Sequence, residues 1–117
     1  PEIIAATLDT ESAKARYSSK NILFIDLREP KERARDGSIP GALHIPYPEL
    51  QNSLNKGGVL NIMVKSEGKE ILFFCAYGER SALALKEAQE FGIDKATHLA
   101  GGFSAWLQAQ GKVEAVS

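Results

Sequence analysis

A single cysteine occupies a point of the chain where a sulfur nucleophile would be effective. Cys75 is the only cysteine among the 117 residues, and it ends the apolar run "EILFFC". The next residues, "AYGERS", are polar and include Gly78 and Arg80, and a helix-like pattern begins where they end. The pattern predicts a strand, a tight turn and a helix, with Cys75 at the start of the turn.

The predicted turn favours a negatively charged sulfur. The N-terminus of a helix supplies unpaired N–H groups and roughly half a positive charge, and a thiolate is stabilised there. Successive N–H groups in a tight turn can converge into an anion-binding nest. Gly78 permits a positive φ that other residues resist, and Arg80 either adds a permanent cation at the mouth of the turn or braces it. Cys75 is therefore a candidate nucleophile.

The residues alone leave a second interpretation of Cys75 open. A lone cysteine after an apolar run is often a small hydrophobic residue of the core. His44 and His98 are interpreted as structural histidines, and no Cys–His pair is predicted because neither lies near Cys75 in the sequence. The wide spacing of these three side chains also gives no support for a metal site.

Strands that alternate with helices must position this turn. The predicted strands are "NILFIDLRE", residues 42–45, "EILFFC" and "KATHLAGG". The predicted helices lie within residues 1–20, from Pro30, in residues 48–56, in "RSALALKEAQEFG" and in "FSAWLQAQG". This alternation predicts an α/β domain with a mainly parallel sheet, in which ligands bind beyond the carboxyl ends of the strands. Cys75 is predicted to lie at such an end.

Three helices carry apolar positions that are expected to face the core. The expected core positions are Ile4, Leu8 and Tyr17 in the first helix, Ala82, Leu85, Ala88 and Phe91 in the helix after Cys75, and Phe103, Trp106 and Leu107 in the last helix.

Composition excludes several classes of function. A length of 117 residues predicts one domain, residues 1–117, and 44% hydrophobic residues suffice for a modest core. A net charge of −1 argues against a nucleic-acid partner. No apolar run approaches the about 20 residues of a membrane helix, and no signal-peptide pattern is found near the start. One cysteine cannot form an internal disulfide, and we expect a cytoplasmic protein.

Four segments together resemble a known family. "FIDLREP", "IPGALHIP", "CAYGERSALA" and "HLAGGFSAW" are similar, in this order and spacing, to the single-domain rhodanese-like sulfurtransferases, and the similarity runs from about residue 3 to 111. The resemblance implies a three-layer α/β fold with a mainly parallel central sheet flanked by helices. In one respect the chain departs from the commonest pattern, because Arg33 and "RARDGS" stand where many members have an aromatic residue and then Gly-His.

The resemblance also implies a reaction and its residues. Cys75 becomes the nucleophile that carries a sulfane sulfur as a persulfide, from a donor such as thiosulfate to an external thiol or protein acceptor. No cofactor or metal is implied. The implied substrate-binding residues are Ala76, Tyr77, Gly78, Glu79, Arg80 and Ser81 of the turn, with Asp26 and Arg28 beside it at a strand end.

Several of these residues have simpler interpretations. Asp26 can cap a turn, and Arg28 can be a solvated surface charge. Tyr77 is predicted to be exposed and to shape the access of the donor. Glu79, next to Arg80, makes the turn less cationic than a strong anion site would be.

Two other functions remain open from the sequence. Cysteine-dependent phosphatases and arsenate reductases also use a Cys-to-Arg loop, but theirs is typically longer and wraps a tetrahedral oxyanion. Four residues separate Cys75 from Arg80, which suits a single sulfur atom better. A non-catalytic or redox-sensing interaction module is the other alternative, because a fold does not dictate a function.

Overall fold

The computed structural model describes residues 7–116, and within them a five-stranded sheet forms the centre of the molecule. The strands are β1 (Thr7–Leu8), β2 (Ile22–Asp26), β3 (Leu43–His44), β4 (Glu70–Phe74) and β5 (Ala96–Leu99). Their order across the sheet is β1-β5-β4-β2-β3, and every neighbouring pair is parallel. The predicted α/β class with a parallel sheet is confirmed, and the strand that precedes Cys75 is the central one.

Six α-helices lie in the described part of the chain. They are α1 (Thr10–Tyr17), α2 (Pro30–Asp36), α3 (Leu50–Leu54), α4 (Val59–Lys65), α5 (Glu79–Glu90) and α6 (Gly102–Gln108), and a 3₁₀ turn (Tyr47–Glu49) precedes α3. The helix α2 begins at Pro30, as predicted, because the fixed φ of proline suits the first helical turn.

Helices cover both faces of the sheet, and the side chains of β4 point alternately to the two layers of helices. Ile71 and Phe73 pack into a core shared with buried residues of α3, α4 and α5. Leu72 and Phe74 point the other way, into a second core shared with α1 and α6. Successive side chains of a strand point to opposite faces, so Cys75 continues the first set and joins the first core. The fold has three layers, as the resemblance implied.

The structure corrects the predictions for three residues. Leu8 lies in β1 instead of a helix, while Ile4 falls outside the described residues. In α5 Ala82 is exposed, and Ala84 lies in the core instead. In α6 Leu107 is 44% exposed, although Phe103 and Trp106 are buried as predicted.

The sequence pattern also failed to predict one helix. α4 begins directly after Gly57-Gly58, and the preceding helix α3 has already ended at Leu54. The apolar residues of α4 do not lie on one face of the helix. Val59 and Ile62 are exposed, and Leu60 is buried. Among residues 7–116, none of the helices has the length and apolar character that crossing a bilayer demands.

Candidate active site

The segment from Cys75 to Ser81, here called the cysteine loop, joins the central strand to the longest helix. β4 ends at Phe74 and α5 begins at Glu79, so the loop lies at the carboxyl edge of the sheet. The predicted strand, turn and helix are all present. This edge is where ligands bind in open α/β sheets.

Backbone amides of the cysteine loop point at the sulfur. The Gly78 N–H donates to Cys75 Sγ at 3.2 Å, and the Ser81 N–H donates to it at 3.4 Å. Gly78 has a φ of 117°, which residues with a Cβ rarely adopt and which lets the chain turn back over the sulfur. The loop therefore has the nest geometry that the sequence predicted, centred on one sulfur atom.

The sulfur enclosed by these amides is buried. Cys75 is 0% exposed and packs in the first core, so the interpretation as a core residue describes its burial correctly. That interpretation does not account for two N–H groups aimed at Sγ, because an apolar core residue needs no donors. Sγ is closed to solvent in this conformation.

Arg80 braces the loop against α2. Its guanidinium makes two hydrogen bonds to the Glu32 carboxylate, at 2.8 Å and 3.0 Å. The same carboxylate accepts the Glu29 N–H at 2.8 Å as part of a capping box at the start of α2. The structure shows the predicted bracing role of Arg80, and the guanidinium also interacts with Cys75. Glu32 was not identified in the sequence as a site residue.

Glu32 makes the brace sensitive to acid. Hydrogen bonds from Arg80 outweigh burial and lower the pKa of Glu32 from 4.5 to about 2. A depressed carboxyl pKa means that the pair stabilises the fold fully above about pH 4.5 and loses this effect as the pH falls toward 2. We expect Glu32→Gln to lower the free energy of unfolding by about 1 kcal/mol at neutral pH, since both partners are partly exposed.

Urea unfolding at a series of pH values checks this expectation. The difference between the wild type and Glu32→Gln should shrink as the pH falls below 4.5, the ordinary pKa of the carboxyl. Glu79→Gln, an exposed acid in the same region, is the control and should change little. A Glu32→Gln difference that stays constant down to acid pH would contradict the assignment.

Ser81 connects the cysteine to a histidine. The Ser81 hydroxyl lies 3.7 Å from Cys75 Sγ and 3.1 Å from His98 Nδ1. The other ring nitrogen of His98 lies 3.2 Å from Thr7 Oγ1. Burial lowers the pKa of His98, so the ring is neutral at neutral pH. This proximity is not predictable from the sequence, because it arises from the pairing of β5 with β4.

Asp26 and Arg28 form a buried ion pair next to the cysteine loop. The Arg28 guanidinium donates to both Asp26 oxygens, at 3.0 Å and 2.9 Å, and to the Gly37 carbonyl at 2.6 Å. The Ser38 hydroxyl donates to Asp26 at 2.8 Å, and Arg28 stacks 4.1 Å from the Phe103 ring centre. Arg28 is 1% exposed, so its interpretation as a solvated charge is wrong. Contact of either residue with a substrate stays a prediction.

A cleft opens beside the loop. Tyr77 is 69% exposed, as predicted, and lies at its rim. The lining residues are Arg28, Glu32, Arg35, Asp36, Ala76, Tyr77, Phe103, Ser104 and Leu107. Both charge signs are present in this wall, so the cleft is not a strongly cationic surface. Within residues 7–116, no group of three or more His, Cys, Asp or Glu side chains is placed to hold a metal ion.

The same arrangement of segments is found in known proteins. A model of the rhodanese-like domain matches residues 9–109 of the chain. The chain belongs to the rhodanese-like domain family. A Homo sapiens thiosulfate:glutathione sulfurtransferase is 30% identical to this rhodanese-like chain over 112 residues, which cover 91% of the chain and 96% of the human protein. The Mus musculus thiosulfate sulfurtransferase/rhodanese-like domain-containing protein 3 is 34% identical over 99 residues, which are 80% of the chain and 63% of the mouse protein.

Solved structures share the fold. A human single-domain sulfurtransferase superimposes on the rhodanese-like chain with a TM-score of 0.73 at 30% identity, covering 88% of this chain and 96% of the other. A Rhodopseudomonas palustris protein of unknown function, described as a possible tyrosine phosphatase, has a TM-score of 0.84 at 35% identity and covers 97% and 91% of the two chains. Membership in the family supports sulfurtransferase activity in general terms.

Proposed function

We propose that the chain is a sulfurtransferase that carries a sulfane sulfur as a persulfide on Cys75, with thiosulfate as a donor. One observation carries the proposal, namely the two backbone N–H groups that point at the only sulfhydryl of the chain. Relatives at 30% and 34% identity are named as sulfurtransferases, and both names include thiosulfate.

The first half of the reaction loads sulfur onto the enzyme. The Cys75 thiolate attacks the outer sulfur of thiosulfate, a sulfur–sulfur bond forms at Sγ, and the sulfur–sulfur bond of the donor breaks. Sulfite leaves with the electron pair of that bond, and the new outer sulfur carries the negative charge. The closed loop fixes the amides of Gly78 and Ser81, so once it has closed they stabilise negative charge at the site without the reorganisation that water would require.

The second half of the reaction needs an external acceptor. An incoming thiolate, or cyanide in an assay, attacks the outer sulfur, and the Cys75 thiolate leaves with its electron pair. Cys75 is the only cysteine, so no internal thiol resolves the persulfide. Burial of Sγ requires that the cysteine loop open in both halves, and the cleft beside Tyr77 is the approach that this opening extends.

Mass spectrometry of the intact protein tests the proposal. Incubation with thiosulfate should add the mass of one sulfur atom, and later addition of cyanide should remove it. Cys75→Ser should gain no mass under the same conditions. The proposal fails if the wild-type protein, folded and with a reduced thiol, stays at its original mass with thiosulfate and with other sulfane donors. That result would favour the non-catalytic module, for which burial of Cys75 is the supporting observation.

The phosphatase alternative has one specific observation in its favour. The Rhodopseudomonas palustris neighbour, 35% identical, is described as a possible tyrosine phosphatase. Against it stands the size of the loop, since four residues between Cys75 and Arg80 enclose one sulfur atom, and Arg80 is bound to Glu32. Hydrolysis of an aryl phosphate that is lost in Cys75→Ser would support the alternative.

A further inference from the structure

We propose that His98 is a positioning residue that turns the Ser81 hydroxyl toward the Cys75 sulfur when that sulfur is negatively charged. The inference rests on the proposed function, since it concerns how the site holds the anionic sulfur. It concerns a third donor, in addition to the two backbone amides.

The Ser81 hydroxyl has one proton and several acceptors within reach. The Gly78 carbonyl lies 3.1 Å from Ser81 Oγ, His98 Nδ1 lies 3.1 Å away, and Cys75 Sγ lies 3.7 Å away. A hydroxyl donates one hydrogen bond and accepts others. Which partner receives the Ser81 proton therefore depends on the protonation states of the neighbouring acceptors.

The proton on the His98 ring decides this competition. If Nδ1 has no proton, it is an acceptor and draws the Ser81 proton away from the sulfur. If Nδ1 carries the proton, it donates to Ser81 Oγ, and the Ser81 proton is released for the sulfur. The Thr7 hydroxyl, 3.2 Å from Nε2, can accept from a protonated Nε2 or donate to a bare one, so this contact permits both tautomers.

A negative charge on the sulfur selects the second arrangement. When the sulfur is a thiolate or persulfide anion, three hydrogen bonds point toward it in series. The Thr7 hydroxyl donates to His98 Nε2, the Nδ1–H donates to Ser81 Oγ, and the Ser81 hydroxyl donates to the sulfur. Such aligned bonds polarise one another in a buried region, and Ser81 and His98 are both buried. His98 accepts no charge in this scheme, because its two neutral tautomers suffice.

The surroundings of His98 are consistent with a neutral switch between tautomers. The ring of His98 contacts Thr7 of β1 and Ser81 of α5. Cys75 lies beyond Ser81 and also interacts with the charged Arg80. Burial is the cause that lowers the pKa of His98, and it disfavours the imidazolium form.

Titration of the Cys75 thiol, in protein that carries no persulfide, tests the inference. Ultraviolet absorbance follows thiolate formation at Cys75, with Cys75→Ser as the blank. His98→Leu removes the donor to Ser81 and leaves the Gly78 carbonyl as the nearer acceptor of the Ser81 proton. The ratio of thiolate to thiol at a given pH should therefore fall by about tenfold, the effect of losing one hydrogen bond to a charged group. His98→Asn places an amide N–H near the position of Nδ1 and should stay within about threefold of the wild type.

A double-mutant cycle shows whether His98 acts through Ser81. Ser81→Ala keeps the backbone N–H that points at Sγ and removes only the hydroxyl. In that background His98→Leu should cause no further change, because the connection is already broken. An equal effect of His98→Leu with and without the hydroxyl would overturn the inference, as would a His98→Leu titration that matches the wild type.

Nitrogen NMR of the imidazole gives a readout that needs no His98 variant. Above the titration of Cys75, Nδ1 should carry the proton, and in Cys75→Ser this preference should disappear. A ring that keeps its proton on Nε2 while Cys75 is a thiolate contradicts the inference. These measurements do not depend on sulfur transfer, so the proposed function can fail in the mass-spectrometry experiment while this inference holds, and the reverse is also true.

Discussion

Replacing Arg28 by methionine is expected to lower the free energy of unfolding by about 3–5 kcal/mol, the usual effect of removing one partner of a buried ion pair. Arg28 is 1% exposed and Asp26 is 0% exposed. Without the guanidinium, the Asp26 carboxylate and the Gly37 carbonyl each lose a donor in a region that water does not reach. Most of the expected loss comes from the carboxylate that remains.

The behaviour of Asp26 with pH gives the prediction a second readout. Burial alone would raise the pKa of Asp26, but hydrogen bonds from the Arg28 side chain and backbone and from Ser38, with the charge of Arg28, lower it below its usual value. A lowered pKa means that Asp26 stabilises the fold above its unfolded pKa and loses this effect as the pH falls through the folded value. In Arg28→Met the main donor is gone, so the midpoint of acid unfolding should move to higher pH.

A second arginine provides a matched control for Arg28→Met. Arg33 also contacts Asp26, at 3.3 Å, but its side chain is 18% exposed. Arg33→Met should therefore cost about 1 kcal/mol or less in urea unfolding. Replacing both members of the buried pair, as in Asp26→Leu with Arg28→Met, should cost less than Arg28→Met alone, because no unpaired charge is left. Equal effects of Arg28→Met and Arg33→Met would show that burial of the pair does not matter.

Local patterns were enough to predict the cysteine loop. An apolar run, polar turn residues and a helical repeat are neighbours in sequence, and the same short-range geometry decides their structure. The amides of Gly78 and Ser81 reach Sγ because three and six residues are all that separate them from Cys75. The local sequence is therefore enough to predict this part of the site, although α2 and α6 hold it in place.

The residues that support the loop could not be predicted in this way. Glu32 and His98 are far from the loop in sequence and reach it through the packing of α2 and the pairing of β5 with β4. The interpretation of Arg28 as a surface charge follows from the rarity of buried arginine. Its pairing with Asp26 compensates for the loss of water around the guanidinium. Which face of a helix is buried is equally hard to predict. Ala84 and not Ala82 of α5 lies in the core, and this depends on the residue at which α5 begins.

Gly102→Ala is expected to destabilise the cysteine loop, because Gly102 begins α6 and lies against the backbone of Cys75 and Ala76. Gly102 has a φ of 62°, and a Cβ built on it would lie 2.5 Å from the Cys75 carbonyl oxygen and 2.7 Å from the Ala76 carbonyl. These are backbone atoms, which cannot move aside as a flexible side chain can. Strain at positive φ and crowding each cost about 1–3 kcal/mol, so we expect a loss of about 2–4 kcal/mol in unfolding free energy.

Gly102→Ala should also slow the loading of sulfur onto Cys75. The first turn of α6 donates to the loop, from the Phe103 N–H to the Cys75 carbonyl at 2.8 Å and from the Ser104 N–H to the Ala76 carbonyl at 3.0 Å. Pushing α6 away breaks these bonds and releases the backbone of the loop on which the amide donors depend. Misplacement by about 1 Å can cost about 100-fold in rate, and we expect persulfide formation to slow by that order.

Gly41→Ala separates crowding from backbone strain in this test. Gly41 has a similar φ of 84°, and nothing lies within 4 Å of the Cβ that alanine would add. It should therefore cost only about 1 kcal/mol in urea unfolding and leave the rate of persulfide formation unchanged. If Gly102→Ala matched Gly41→Ala in both measurements, contact between α6 and the loop would not hold the sulfur site in place. If it lost stability but loaded sulfur at the normal rate, the loop would keep its geometry without α6.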